Sequence, residues 1–164
     1  MFELERLRAD HSASVLAFER ENRAYFASFI SDRGDEYFSS FADDYSARMS
    51  EQDAGTCIFH VLVGKDGAVQ GRFNLFDLKA GTAELGYRVA QQVTGRGVAT
   101  ATVQRLCQLA ANQYGVRHLR AATSFENVAS QRVLEKAGFT SAGPAQPGGR
   151  PGIWYERDLI ADAR

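Results

Sequence analysis

Ala83-Glu84-Leu85-Gly86-Tyr87-Arg88-Val89-Ala90-Gln91-Gln92-Val93-Thr94-Gly95-Arg96-Gly97-Val98-Ala99-Thr100 carries most of the information about the fold. Ala83 to Val89 reads as a strand. Val98, Thr102, Leu106, Leu109 and Ala110 then recur at helical intervals, up to Gly115. Between strand and helix lie two closely spaced glycines, Gly95 and Gly97. Such a junction presents unspent backbone N–H groups and the positive end of a helix dipole, which together suit a phosphate or pyrophosphate. The loop lacks the Gly-Lys-Ser/Thr ending of a P-loop and the six-residue glycine spacing of a dinucleotide fingerprint, so nucleotide hydrolysis and hydride transfer lose support. Glycines before a helix also serve as a plain turn and cap, and the wider sequence has to decide.

Upstream, Cys57 to Val63 is a β-type run, Lys65-Asp66-Gly67 a turn, and Ala68 to Phe76 its hairpin partner. Phe2 to Leu7 is a short first strand. Ser12 to Ile30 has helical spacing interrupted by the polar Glu19 to Arg23, which predicts two helical pieces with a bend. Tyr37, Phe38, Phe41, Tyr45 and Met49 predict one further helix after Gly34, ending near Gly55. These aromatics either form core or line an acceptor pocket.

Downstream, His118 to Thr123 is a strand and Asn127 to Lys136 a helix stopped at Gly138. Phe139 to Ala142 begins another strand, Gly143 to Gly152 is a Gly/Pro-rich loop, Ile153 to Leu159 is the last strand, and Ala161 to Arg164 a free tail. Strands and helices interleave without a linker, so residues 1–164 are expected to form a single domain.

Composition narrows the function. The chain is 45% hydrophobic and 24% charged with a formal net charge of -1, ordinary for a globular protein and no footprint for a polyanion. Nucleic acid is therefore not an expected partner. Met1 to Asp10 alternates apolar residues with charges instead of forming a leader, and no apolar run is long enough to span a bilayer, so a cytoplasmic location is expected. Cys57 and Cys107 have neither metal-ligand spacing nor a disulfide pattern and read as buried thiols, and no metal is expected.

Two segments together resemble a known superfamily, the GNAT N-acetyltransferases, and within it the RimJ/RimL branch that acetylates ribosomal-protein N-termini. The first is Gly86-Tyr87-Arg88-Val89, five residues, then Gly95-Arg96-Gly97-Val98-Ala99-Thr100. Its spacing resembles that of the branch, and it is similar to the superfamily's Gln/Arg-x-x-Gly-x-Gly/Ala loop, with Thr94 where Gln or Arg is usual; Gln92 to Gly97 offers a second, literal register. The other is Asn127-Val128-Ala129-Ser130-Gln131-Arg132-Val133-Leu134-Glu135-Lys136-Ala137-Gly138-Phe139, similar to the branch's Asn-x-x-Ser…Lys-x-Gly-Phe helix.

The resemblance implies an α/β fold with a central, mostly antiparallel, splayed mixed sheet flanked by helices, and acetyl-CoA as acyl donor. The pantetheine arm would pair with the backbone of Tyr87, Arg88 and Val89 as an added strand. The pyrophosphate would lie on amides of Gly95, Arg96, Gly97, Val98, Ala99 and Thr100, with a charge-assisted contact from Arg96. Asn127 and Ser130 would bond the pantetheine, and Arg132 or Lys136 would reach the nucleotide phosphates.

An amine must be neutral to attack a thioester, so a group or water chain has to accept its proton. Glu84, where branch members often carry a glutamate, is the first candidate for general base, beside the reading of a strand-end structural glutamate. Many superfamily members have a tyrosine acid seven residues after the helix asparagine, but Leu134 occupies that position here. Ser130 matches the serine assigned that role in the RimL branch. Asn74 is a further candidate substrate contact, and Trp154 and Tyr155 are ambiguous, since adjacent strand residues face opposite sides. The expected acceptor is a peptide N-terminus, with a small amine (amino acid, polyamine or antibiotic) as alternative; a non-catalytic acyl-CoA-binding module is the reading from another class. A homodimer is compatible with the sequence.

Overall fold

Alternating hydrophobicity places seven strands in one mixed sheet of order β1-β2-β3-β4-β5-β7-β6 in the computed structural model, which describes residues 1–160. The strands are β1 Phe2–Arg6, β2 Ile58–Gly64, β3 Val69–Lys79, β4 Thr82–Val89, β5 His118–Ser124, β6 Thr140–Ala145 and β7 Gly152–Asp158. The helices are α1 Ser12–Glu21, α2 Arg23–Ala27, α3 Asp35–Ser39, α4 Phe41–Asp53, α5 Val98–Gln113 and α6 Val128–Lys136. The tail expected at Ala161 to Arg164 lies outside the described residues.

The chain packs as two compact units, one of Met1–Asn74 with Tyr87–Val93, the other of Leu75–Gly86 with the residues from Thr94 on. In the first, β1 and β2 pair antiparallel from Phe2↔Gly64 to Arg6↔His60. Beyond β1 the side chain of Gln52 takes over the pairing: its Nε2 donates to the Leu7 carbonyl at 2.9 Å and its Oε1 accepts from the Phe59 N–H at 2.8 Å. Val15, Phe18, Phe26, Phe41, Tyr45, Val61 and Phe73 are buried there, so the core reading of Phe41 and Tyr45 holds, while Tyr37 and Phe38 are half-buried.

The expected bend between two helical pieces falls at Asn22. Its Nδ2 donates to the Phe18 carbonyl at 2.9 Å and its Oδ1 accepts from the Gln91 N–H at 3.0 Å. The single helix expected after Gly34 is instead two, broken at Ser40 (φ -109°, ψ 22°). The hydroxyl of Ser39 donates to the Glu36 carbonyl at 3.1 Å, a local competition with the helical ladder that a hydrophobic pattern does not register.

In the second unit, β4 and β5 are parallel, with Thr82↔His118, Ala83↔Leu119 and Glu84↔Arg120 in register. β5–β7 and β6–β7 are antiparallel. Ala83, Leu85, Leu119, Ala121 and Tyr155 are buried, as are Val103 and Leu106 of α5 and Leu134 of α6. The loop expected from Gly143 starts later, because β6 continues to Ala145 through an irregularity between Ser141 and Pro144. Pro144 lies in the sheet's terminal strand, where a missing N–H is tolerated. Gly152 is forced: a Cβ there would meet the Thr123 carbonyl at 2.2 Å.

Candidate active site

Chain direction brings the candidate anion loop straight off β4. After Val89 a 3-10 turn, Gln91–Val93, buries Val93, and the backbone then passes through Gly95 (φ +75°) and Gly97 (φ +74°) before α5 starts at Val98. Both glycines take the left-handed conformation that side chains resist. A Cβ built at either one meets no atom within 4 Å, so the loop's outer side is open. Gly97 is the N-cap and its carbonyl accepts from Ala101 N–H at 3.1 Å, the first bond of a 16-residue helix. The amides of Val98 to Thr100 therefore precede that ladder, which is the arrangement a pyrophosphate requires. Arg96 is exposed beside them.

In the same unit, Asn127 is the N-cap of α6, with its Oδ1 accepting from the Ser130 N–H at 3.2 Å. Asn127 thus caps the helix, and the same bond fixes Ser130, which is half-buried. Arg132 and Lys136 lie on the exposed side of α6, and Leu134, at the position of the usual tyrosine, is fully buried. Sequence reasoning missed Thr123 and Ser124 at the end of β5. Their hydroxyls are buried without a hydrogen-bond partner among the described residues, an unmet polar capacity just before Asn127.

Glu84 is half-buried on β4, in register with Arg120. Burial pushes its carboxyl pKa up; the Arg120 charge opposes this and Asp77 adds to it. A carboxylate whose pKa is raised binds a proton more tightly than an ordinary one, the direction a general base needs. Arg120 is itself stacked over the Trp154 ring, 3.7 Å from its centroid, which gives Trp154 a role beside Glu84's neighbour.

In the other unit, Tyr87 stacks on buried Phe73 with ring centroids 5.4 Å apart, and Tyr87, Arg88 and Val89 are all half-buried. Arg88, expected to contribute backbone, turns out to carry a side-chain network as well. Glu19, with only 1% of its side chain exposed, receives Arg33 as a two-pronged fork at 2.9 and 3.0 Å, Arg72 at 2.8 Å and Arg88 at 3.2 Å. Burial alone would raise the Glu19 pKa, but the Arg33 hydrogen bonds and the three positive charges win and hold it below the ordinary carboxylate value. Burial and the Arg33 charge lower Arg88 to about 10, which leaves it charged at neutral pH. Nothing in the sequence announced this cluster, since its members come from α1, a loop, β3 and β4.

His60 is buried with Nδ1 3.2 Å from the Phe73 carbonyl, and burial lowers its pKa to about 4, so it is a structural histidine. Both cysteines are buried and free. Among the described residues no group of histidine, cysteine or acidic side chains is assembled to hold a metal, and no helix is long and apolar enough to cross a membrane.

Known proteins share this chain's sequence pattern and fold. A probable N-acetyltransferase, YjcK of Bacillus subtilis, is 27% identical over 155 residues, covering 89% of this chain and 84% of that protein. The ribosomal-protein-S5-alanine acetyltransferase of Vibrio fischeri superposes with a TM-score of 0.88 at 15% identity, over 96% of this chain and 93% of that one. Spermidine N-acetyltransferase from Vibrio cholerae, solved with CoA and spermine, gives 0.80 at 16% identity, over 96% and 95%. Residues 2–140 match the acetyltransferase (GNAT) domain, and the chain belongs to the GNAT acetyltransferase family.

Proposed function

We propose that residues 1–164 act as one acetyl-CoA-dependent N-acetyltransferase domain whose acceptor is a primary amine, with the α-amine of a peptide N-terminus as the leading class. The observation that carries this is the run from β4 through two left-handed glycines into the first turn of α5. In this reading the backbone of Tyr87, Arg88 and Val89 holds the pantetheine arm as an added strand. Amides of Gly95 to Thr100 hold the pyrophosphate, Arg96 adds charge, and Asn127, Ser130 and Arg132 flank the cofactor from α6.

Acetyl-CoA supplies an activated acyl group, and the chain's residues handle the protons. Glu84, directly or through water, takes a proton from the acceptor ammonium, and the neutral nitrogen then attacks the thioester carbonyl. The C–N bond forms, the C–S bond breaks, the attacking nitrogen gives up its second proton to solvent, and Ser130 hands a proton to the departing thiolate before recovering one from solvent. The sum is one amide, one free thiol and one released proton. Positioning the amine against the carbonyl lowers the entropic part of the barrier, and Glu84 supplies general-base catalysis.

Calorimetric titration of acetyl-CoA followed by thiol-release assays against peptide N-termini and small amines tests the reading. Saturable binding with amine-dependent thiol release is the expected result. Binding without release from any amine would favour a non-catalytic acyl-CoA module, and no binding would overturn the assignment.

A further inference from the structure

One carboxylate is satisfied by one guanidinium fork, and Glu19 already has that from Arg33. Arg72 and Arg88 are added to it, so three positive charges face one negative charge and the cluster carries a surplus of +2. The surplus is partly desolvated, with the side chains of Arg72, Arg88 and Arg33 8%, 18% and 29% exposed, so an anion arriving from solvent meets uncompensated positive charge there. The neighbouring ion pairs do not compensate it. Arg23 binds Asp32 and Asp35 at 2.8 Å each, but those side chains are 36% to 96% exposed and water screens them.

The cluster is also built to receive something. Arg88 lies over the Phe26 ring and Arg33 over the Tyr37 ring, each 4.7 Å from the centroid, which fixes the guanidinium planes and leaves their N–H edges for polar partners. Arg88, its side chain 18% exposed, donates once among the described residues, to Glu19. Its side chain leaves β4 from within Tyr87 to Val89, the stretch whose backbone is proposed to hold the pantetheine arm. Asn74 supplies a second, independent observation. Alternation along β3 puts it on the side of Arg72, and its Oδ1 is buried with no hydrogen-bond partner among the described residues. An orphaned carbonyl oxygen is an acceptor for an N–H donor, which an amine substrate brings.

We propose that the acceptor of this acetyltransferase carries a carboxylate close to its amine, that Arg33 and Arg88 bind the carboxylate, and that Asn74 Oδ1 accepts from the amine. This deepens the proposed function and rests on it. The ligand chemistry is shared by a free amino acid and by a peptide N-terminus followed by acidic residues. A polycationic acceptor such as a polyamine meets repulsion at the same place.

The test uses the full-length protein and pairs of acceptors that differ in one anion. Thiol release is compared for alanine against alaninamide, for an Ala-Glu-Glu amide peptide against Ala-Gln-Gln amide, and for spermidine. At least one acid is expected to exceed its neutral partner by about tenfold or more in kcat/KM, the size of a charge-assisted hydrogen bond, and spermidine to rank last. Which pair shows the difference separates the amino-acid source from the peptide source. Arg33→Gln should bring that ratio close to one, with acetyl-CoA binding reporting that the variant is folded. Direct titration of N-acetylalanine, N-acetylalaninamide and the two N-acetylated peptides into protein saturated with CoA reads the anion site without chemistry. Thiol release with neutral or polycationic acceptors at least as good would overturn the proposal and spare the enzyme. Preferential binding of an acid with no thiol release from any amine would overturn the enzyme reading and spare the anion site.

Discussion

Two glutamates, one fully buried and one half-buried, meet opposite fates in this chain. Glu19 lies among three guanidinium groups and its pKa is driven down, whereas Glu84 has burial acting on it with a single arginine, Arg120, in register beside it, and its pKa is driven up. The difference shows that burial by itself does not decide what a carboxylate does; the number and closeness of its cations does. A neutralised and saturated carboxylate organises side chains. A partly desolvated one with a weak counter-charge can take and release protons.

The contrast is broken most decisively at Glu84. Glu84→Gln keeps shape and removes basicity, so kcat should fall by about 10²–10⁴ with acetyl-CoA affinity retained, read by steady-state thiol release and calorimetry. Turnover unchanged in that variant would remove Glu84 from the mechanism. At Glu19 the effect should appear in stability instead. Glu19→Gln strands three guanidiniums and is expected to cost about 3–5 kcal/mol, measured by urea denaturation at neutral pH.

Acidity sharpens the same comparison because the two signs differ. The lowered pKa of Glu19 contributes stability above its unfolded value near 4.5 that is lost as pH falls through the folded pKa. The raised pKa of Glu84 works the other way: its protonated form is favoured by folding, and stability declines as pH rises from 4.5 through the folded value. Thermal melts from pH 3 to 7 should therefore lose an acid-side dependence in Glu19→Gln and gain stability at neutral pH in Glu84→Gln. The smallest effect is expected at Asn127, where loss of the cap in Asn127→Ala should cost about 1 kcal/mol in denaturation.

How far the sequence could be read divides along the same line. The strands, the glycine loop, α5 and the Asn127 helix were legible because period-two alternation, left-handed glycines and caps report on the local backbone. Glu84 was singled out only through the family resemblance, as a glutamate at a position where branch members often carry one. Glu19 was passed over as a polar interruption of a helix, although it is one of the most buried residues of the chain, since its partners at 33, 72 and 88 are distant in sequence. The break at Ser40 was hidden because the aromatic spacing continues across it. Thr123, Ser124 and the orphaned oxygen of Asn74 depend on strand register, which alternation alone leaves undetermined.

Gln52 leads to a different kind of consequence. Its amide gives one hydrogen to the Leu7 carbonyl and takes one from the Phe59 N–H, as a neighbouring strand's peptide group would. Exchange of one atom, nitrogen for oxygen, as in hydrolytic ageing of the side chain to a glutamate, would set a negative oxygen against that carbonyl. One side-chain amide thus stands in for a peptide group of the sheet, and Gln52→Glu should lower stability in urea denaturation although it alters a single atom.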